Sequence, residues 1–210
     1  MKKDGILYTV AFVALVSFAF VFLLSLANVA TKDEVARNRL AAERKSILNA
    51  FGIGYGSDAE ALAAFDARVE RLAAKVNGVE RPLYRATVDG LSLYALKESG
   101  AGLWGTIELV VAAPEDLSRV AGVEVVAQNE TPGLGGRIDE AWFKEQWRDE
   151  LVPPGGIGIK TGAEASGKAD ADKGNGSVEG VSGASRSSQS FAAIVAKGLA
   201  SLKQAIGGAR

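Results

Sequence analysis

The sequence predicts an α+β protein: a single N-terminal transmembrane helix, then one domain in which an antiparallel sheet is flanked by helices. Three observations carry this. An uncharged apolar run opens the chain. From about residue 83 to residue 128 the pattern reads as short β-branched strands between turn signals. The end of the chain returns to a helical period, with Phe191, Ile194, Val195, Leu199, Leu202 and Ile206 on one stripe. Residues 1–31 are therefore assigned to an anchor and residues 32–210 to the domain, with 153–178 as a mobile loop.

The anchor comes first. Gly5 to Thr31 holds no charged residue, and its heart, ILYTVAFVALVSFAFVFLLSLA, covers 22 residues. About 20 suffice to cross a bilayer as a helix. A cleaved signal peptide is the competing reading, and Ser25-Leu26-Ala27 suits a small-residue cleavage site. Its apolar region is ordinarily about 7–15 residues, shorter than this run, so an uncleaved anchor is expected. Lys2 and Lys3 precede the span, while Lys32, Arg37, Arg39, Arg44 and Lys45 follow it, so a count of cations does not favour a cytoplasmic N-terminus.

The domain begins with helical periodicity over 32–51, where Leu40, Ile47, Leu48 and Phe51 share a face. GIGYGS then breaks the helix. A second helix is expected from Asp58, with Leu62, Phe65, Val69, Leu72 and Val76 at spacings of three and four, ended by Asn77-Gly78. LYRATV and LSLYALKE flank Asp89-Gly90 and read as a hairpin. SGAGLWGT forms a glycine-rich approach to the strand IELVVAA, and VAGVEVVAQ is a further strand. After ETPGLGG, the stretch from Asp139 to Leu151 reads as a short helix that places Trp142, Phe143 and Trp147 for packing against the sheet. The mobile loop surrounds a short strand near Ile157–Lys160. The closing helix is expected from about Ser187 to Ile206, with Ser187 or Ser188 as its N-cap.

Composition narrows the chemistry. The 210 residues leave about one domain beyond the anchor. Lys plus Arg is 24 and Asp plus Glu is 25, which is not the basic excess of a nucleic-acid binder. The chain has no cysteine and no histidine. That excludes disulfides, Cys/His zinc sites, protein-held haem or iron–sulfur ligation, and Ser-His-Asp or Cys nucleophiles. No carboxylate cluster of metal-binding form is visible. Redox chemistry here requires an organic cofactor.

Three motifs bear on such a cofactor. In ETPGLGG, Glu130 to Gly136, Pro132-Gly133 suits the centre of a type II turn and the bare backbone admits a flat ligand. In GAGLWGTI, Trp104 between glycines can stack on an aromatic group. In EGVSGASRSS, Glu179 to Ser188, hydroxyls and Arg186 sit just ahead of a helix N-terminus, a setting that suits a phosphate. Taken singly, an ordinary turn, a core tryptophan and a capped helix explain each motif.

Together and in this order, with the anchor and SILNAFGI, they resemble the membrane-anchored flavin subunits of two related ion-pumping respiratory complexes. One is the NqrC-like subunit of the sodium-translocating NADH:quinone reductase. The other is the RnfG-like subunit of the Rnf ferredoxin:NAD⁺ oxidoreductase. GAGLWGTI leans toward the first. The resemblance implies FMN tied through its phosphate to a hydroxyl in a motif written S-G-A-T, with an acidic residue six positions earlier. Here the acceptor position falls on Ser185 and the acidic position on Glu179, where the family usually has threonine and aspartate. Ser182, Ser187 and Ser188 are rival hydroxyls that spacing does not separate. The implied flavin contacts are Trp104, Glu130, Thr131, Gly133, Leu134, Ser182, Gly183 and Ala184.

The resemblance further implies an electron-transfer subunit without independent catalytic activity, held in the bacterial inner membrane by one pass, with its domain on the periplasmic side. Partners are then the other membrane subunits, a flavin transferase for maturation and the lipid bilayer. A flavin-free assembly module of the same fold is the alternative.

Overall fold

The computed structural model describes residues 5–166 and 168–208, in two compact units divided after Ala41. Helix α1 spans Ile6–Phe51, so the helix expected over 32–51 is continuous with the membrane run. Up to Leu40 most of its apolar side chains are exposed, Leu15 at 69% and Phe18 at 72% among them. This is a helix long and apolar enough to cross a membrane. Leu40 is also exposed, unlike Ile47, Leu48 and Phe51, which are buried in the second unit.

The second unit is built on one antiparallel meander in the order β1-β2-β3-β4-β5, comprising Glu70–Val76, Val79–Val88, Leu91–Ala101, Thr106–Pro114 and Gly122–Ala127. Apolar layers cover both faces. On one side Leu83, Leu96, Ile107, Leu109, Val111 and Ala113 meet helix α4, Ser185–Gly208. On the other, Tyr84, Ala86, Leu93, Ala95, Val110 and Ala112 meet the end of α1 and helix α2, Asp58–Arg68. Alternate residues of β4 thus enter opposite cores, which is why IELVVAA is an unbroken apolar run. All six residues of the expected stripe on α4 are buried.

Two expected helices are cut short. The second helix stops at Arg68, and Glu70–Val76 is strand β1, paired with β2. Leu72, Ala74 and Val76 alternate onto one face, and a spacing of four is compatible with both periods. The turn decides: Asn77 and Gly78 have φ of 50° and 79°, the pair of positive values a type I′ hairpin needs. The expected Asp89-Gly90 hairpin has the same geometry, with φ of 49° and 80°. Of the helix expected over 139–151 the five residues of α3, Ala141–Glu145, are α-helical, and a 3-10 turn, Gly135–Asp139, precedes them. Beyond α3 the chain is drawn away by backbone bonds between Asp149–Val152 and Ser118–Val120. Trp147 and Phe143 still reach the core, with their rings 5.4 and 5.0 Å from that of Phe191 on α4. Trp147 buries its indole N–H without a hydrogen-bond partner among the described residues, a cost of about 1–3 kcal/mol that its packing outweighs.

Among the described residues of 153–176, strand β6, Gly158–Lys160, and a 3-10 turn, Gly162–Glu164, are the regular elements. Strand β6 pairs in parallel with β7, Ser177–Glu179. Lys160 bonds Asp170 across the loop at 3.1 Å. The expected cap also moves. Helix α4 starts at Ser185, so Ser187 and Ser188 lie inside its first turn, where both are buried.

Candidate functional site

Three segments meet around a cleft of about 490 Å³: the β3–β4 hairpin tip, the turn after β5, and the start of α4. The tip is Gly102 to Gly105, closed by the Gly102 N–H donating to the Gly105 carbonyl at 2.7 Å. The glycine-rich approach expected before β4 is therefore the head of a long hairpin, with Ser99 to Ala101 already in β3. Leu103 and Trp104 project from it, 52% and 72% exposed.

The turn after β5 is as the sequence predicts. The Thr131 carbonyl accepts the Leu134 N–H at 3.1 Å, with Pro132 and Gly133 at the centre and Gly133 at φ of 74°. The same carbonyl accepts the Gly136 N–H at 3.0 Å. A second turn of this kind leads into α4: the Ala184 N–H bonds the Val181 carbonyl at 3.0 Å, and Gly183 has φ of 79°.

Trp104, Glu130, Thr131, Leu134, Gly183, Ala184 and Ser185 of the predicted set come together on the cleft wall. Gly133 and Ser182 are exposed and lie off it. Leu103, Gly135, Arg186 and Ser187 line it as well. All four lie within the three motifs: Leu103 in GAGLWGTI, Gly135 in ETPGLGG, and Arg186 and Ser187 in EGVSGASRSS. A Cβ on Gly135 would stand 2.5 Å from Ser187 Oγ and 2.8 Å from Glu130 Oε2.

Glu130 is the buried charge of the site, 5% exposed. Its Oε1 accepts the N–H groups of Leu103 at 2.9 Å and Trp104 at 3.1 Å. Its Oε2 accepts the hydroxyl of Ser187. Burial opposes ionisation of this carboxyl, but the Ser187 hydroxyl and the N–H groups of Trp104, Leu103 and Gly105 outweigh it and hold its pKa below the ordinary value.

The four serines of the motif separate by environment. Ser187 is committed to Glu130. Ser188 donates to the Ala184 carbonyl and accepts the Val181 N–H, both at 3.0 Å, and is fully buried. Ser182 is exposed away from the cleft. Ser185 is half-buried on the cleft wall, in the first turn of α4, with exposed Arg186 beside it. The first-turn N–H groups and positive dipole end of a helix of this length suit an anion.

Glu179 is not on the wall. It ends β7, 4% exposed, where its carboxylate accepts the Ser166 N–H at 2.8 Å and lies 3.8 Å from Lys160 Nζ. Among the described residues no group of acidic side chains is placed to hold a metal ion.

A cleft of this size, with an exposed indole, bare glycine backbone and a cationic helix N-terminus, suits an aromatic ligand that carries phosphate. Those features fit FMN. Residues 102–200 match the FMN-binding domain family. The chain is similar to the C subunit of the Na(+)-translocating NADH-quinone reductase of Pseudomonas aeruginosa, 30% identical over 178 residues, which is 64% of this chain and 67% of that protein. It is also similar to the G subunit of an ion-translocating oxidoreductase complex of the same species, 38% identical over 86 residues, 39% of each chain. Among solved structures it resembles the quinone-reductase C subunit from Parabacteroides distasonis, with a TM-score of 0.66, 21% identity and coverage of 82% of this chain and 95% of that one. NqrC of Shewanella oneidensis is a further structural neighbour, with a TM-score of 0.56, 18% identity and coverage of 80% and 91%. The chain belongs to the family of FMN-binding subunits that includes the C subunits of these quinone reductases and the G subunits of these oxidoreductase complexes.

Proposed function

We propose that this chain is the membrane-anchored electron-transfer subunit of an ion-translocating NADH:quinone reductase in the bacterial inner membrane, and that it carries FMN as a phosphoester on Ser185. The observation that carries the reading is the placement of Ser185: within Ser182 to Ser188 it is the hydroxyl that both faces the cleft and opens helix α4. Ser187 and Ser188 are spent on Glu130 and on backbone groups.

In this reading the first-turn N–H groups of α4 and the Arg186 guanidinium hold the phosphate. Trp104 flanks the flavin ring, and Thr131, Leu134, Gly183 and Ala184 shape the space around it. When bound, FMN supplies the electron-accepting and electron-donating ring. The protein's residues keep it in place and surround it, so no side chain acts as acid or base and no independent catalytic activity is expected. A covalent link suits a carrier that passes electrons on without releasing its cofactor. Maturation requires a flavin transferase, and turnover requires the other membrane subunits of the complex.

The quinone-reductase relative aligns over more of this chain than the relative from the ion-translocating oxidoreductase complex, which supports the quinone-reductase branch and sodium as the pumped ion. The Rnf-type complex is the second reading, supported by the 38% identity over the 86 residues aligned to that relative. We place the soluble unit on the periplasmic side on the strength of the family resemblance.

Intact mass of protein produced with its flavin transferase tests the attachment. The expected mass exceeds that of the polypeptide by one FMN less one water, and Ser185→Ala abolishes the increment. A Ser185→Ala protein that still carries covalent flavin removes Ser185 as the acceptor. A wild-type chain without flavin leaves a flavin-free assembly module.

A further inference from the structure

The cleft is assembled from parts distant in sequence. Glu130 lies 27 residues from Leu103 and 57 from Ser187, yet one carboxylate bonds both segments. The hairpin tip has few bonds of its own: the Gly102–Gly105 bond closes it, while the Leu103 and Trp104 N–H groups turn to Glu130. A tryptophan 72% exposed gains little from packing, so these bonds are what orient its backbone.

The surroundings are cleared for this carboxylate. A Cβ on Gly102 would overlap Glu130 Oε1, and one on Gly135 would stand 2.8 Å from Oε2. Two glycines from two segments therefore leave room for the same side chain. With Oε1 taken by backbone donors and Oε2 by Ser187, the carboxylate is directed into protein.

We propose that Glu130 is a positioning residue: it clamps the β3–β4 hairpin tip and the first turn of α4 to the turn after β5, and so sets the stance of Trp104 at the cleft. The clamp exists in the protein alone. Its effect on a flavin through Trp104 rests on the function proposed above.

The test uses the full-length protein in detergent, as Glu130→Gln and Glu130→Ala, with Trp104→Phe as the reference. The first readout is amide hydrogen exchange at Leu103 and Trp104 in flavin-free protein. A bond to a charged acceptor is worth roughly 1 kcal/mol more than one to a neutral acceptor, so Glu130→Gln is expected to speed tip exchange about fivefold. Glu130→Ala speeds it further, and the β3–β4 ladder stays protected in both. Wild-type exchange at the tip in a folded Gln or Ala variant overturns the clamp.

The second readout is flavin fluorescence in loaded protein, which a stacked indole quenches. Glu130→Ala is expected to raise it toward the Trp104→Phe level. If Trp104→Phe raises it and both Glu130 variants do not, Glu130 does not act through Trp104 and the proposal fails. A wild-type chain that carries no flavin counts against the proposed function alone, and the exchange readout still decides the clamp. Glu130→Gln keeps the test decisive where Glu130→Ala fails to fold.

Discussion

Two buried glutamates show how a side chain's surroundings settle its role. Glu179 stands six positions ahead of Ser185, the proposed acceptor, where a recognition handle for the flavin transferase is the family's implication. In the structure it supports the chain from within, through the Ser166 N–H and Lys160. Glu179→Ala should therefore lower the stability of flavin-free protein by about 1–3 kcal/mol, read from urea denaturation. Unchanged stability with lost flavin attachment would return Glu179 to the recognition role. Glu98, 3% exposed on β3, is a second case. Burial raises its pKa, but Lys197, Arg81, Ser201 and the Ser99 N–H together bring it from 4.5 down to about 2. A depressed carboxyl stabilises the fold above its unfolded pKa, and that contribution fades as pH falls from 4.5 toward about 2. Burial raises Glu124 and Glu150, so their ionisation opposes folding as pH rises. A comparison of wild type with Glu98→Gln isolates the first effect. The variant should lose about 1–3 kcal/mol near neutral pH and show a flatter acid limb in thermal denaturation. Parallel acid limbs for the two proteins would contradict it.

At the scale of elements, the closing helix was legible from its period, the β2–β3 hairpin from its turn, and β4 from its β-branched apolar run. The α4 stripe cannot alternate, and the Asp89-Gly90 turn demands a hairpin. Residues 70–76 were not, because Leu72 and Val76 lie four apart, a spacing both periods share. The helix expected over 139–151 failed for a different reason: long-range backbone bonds to 118–120 outcompete local helix bonds. The junction between α3 and α4 is held by rings. Phe191 is fully buried against Phe143 and Trp147. Phe191→Ala should cost about 3–5 kcal/mol by chemical denaturation, and loosen the start of α4 where the cleft lies. A cost under about 1 kcal/mol would mean the site collapses around the loss.

At the scale of the molecule, the anchor and the domain divide the work. The first unit presents an apolar surface suited to lipid, and the second holds both cores and the cleft. The proposed periplasmic placement is open to direct measurement, since the native chain has no cysteine. Ala163→Cys, at an exposed position, should react with a membrane-impermeant maleimide in intact spheroplasts to the same extent as after lysis. Labelling that requires lysis would put the domain in the cytoplasm.

The sequence by itself determined the membrane run, the α+β class and the three motifs, since length, period and turn chemistry are local properties of the chain. It also offered a few hydroxyls of one motif as candidate flavin acceptors. Only the tertiary structure distinguished those hydroxyls, because burial and hydrogen bonding depend on segments far apart in the chain. Ser187 and Ser188 read as caps until α4 was seen to begin at Ser185. Glu130, on the cleft wall, meets its hydrogen-bonding partners only because segments 27 and 57 residues away come into range. A carboxylate's role follows from which donors reach it, and contacts at that separation in sequence exist only in the folded chain.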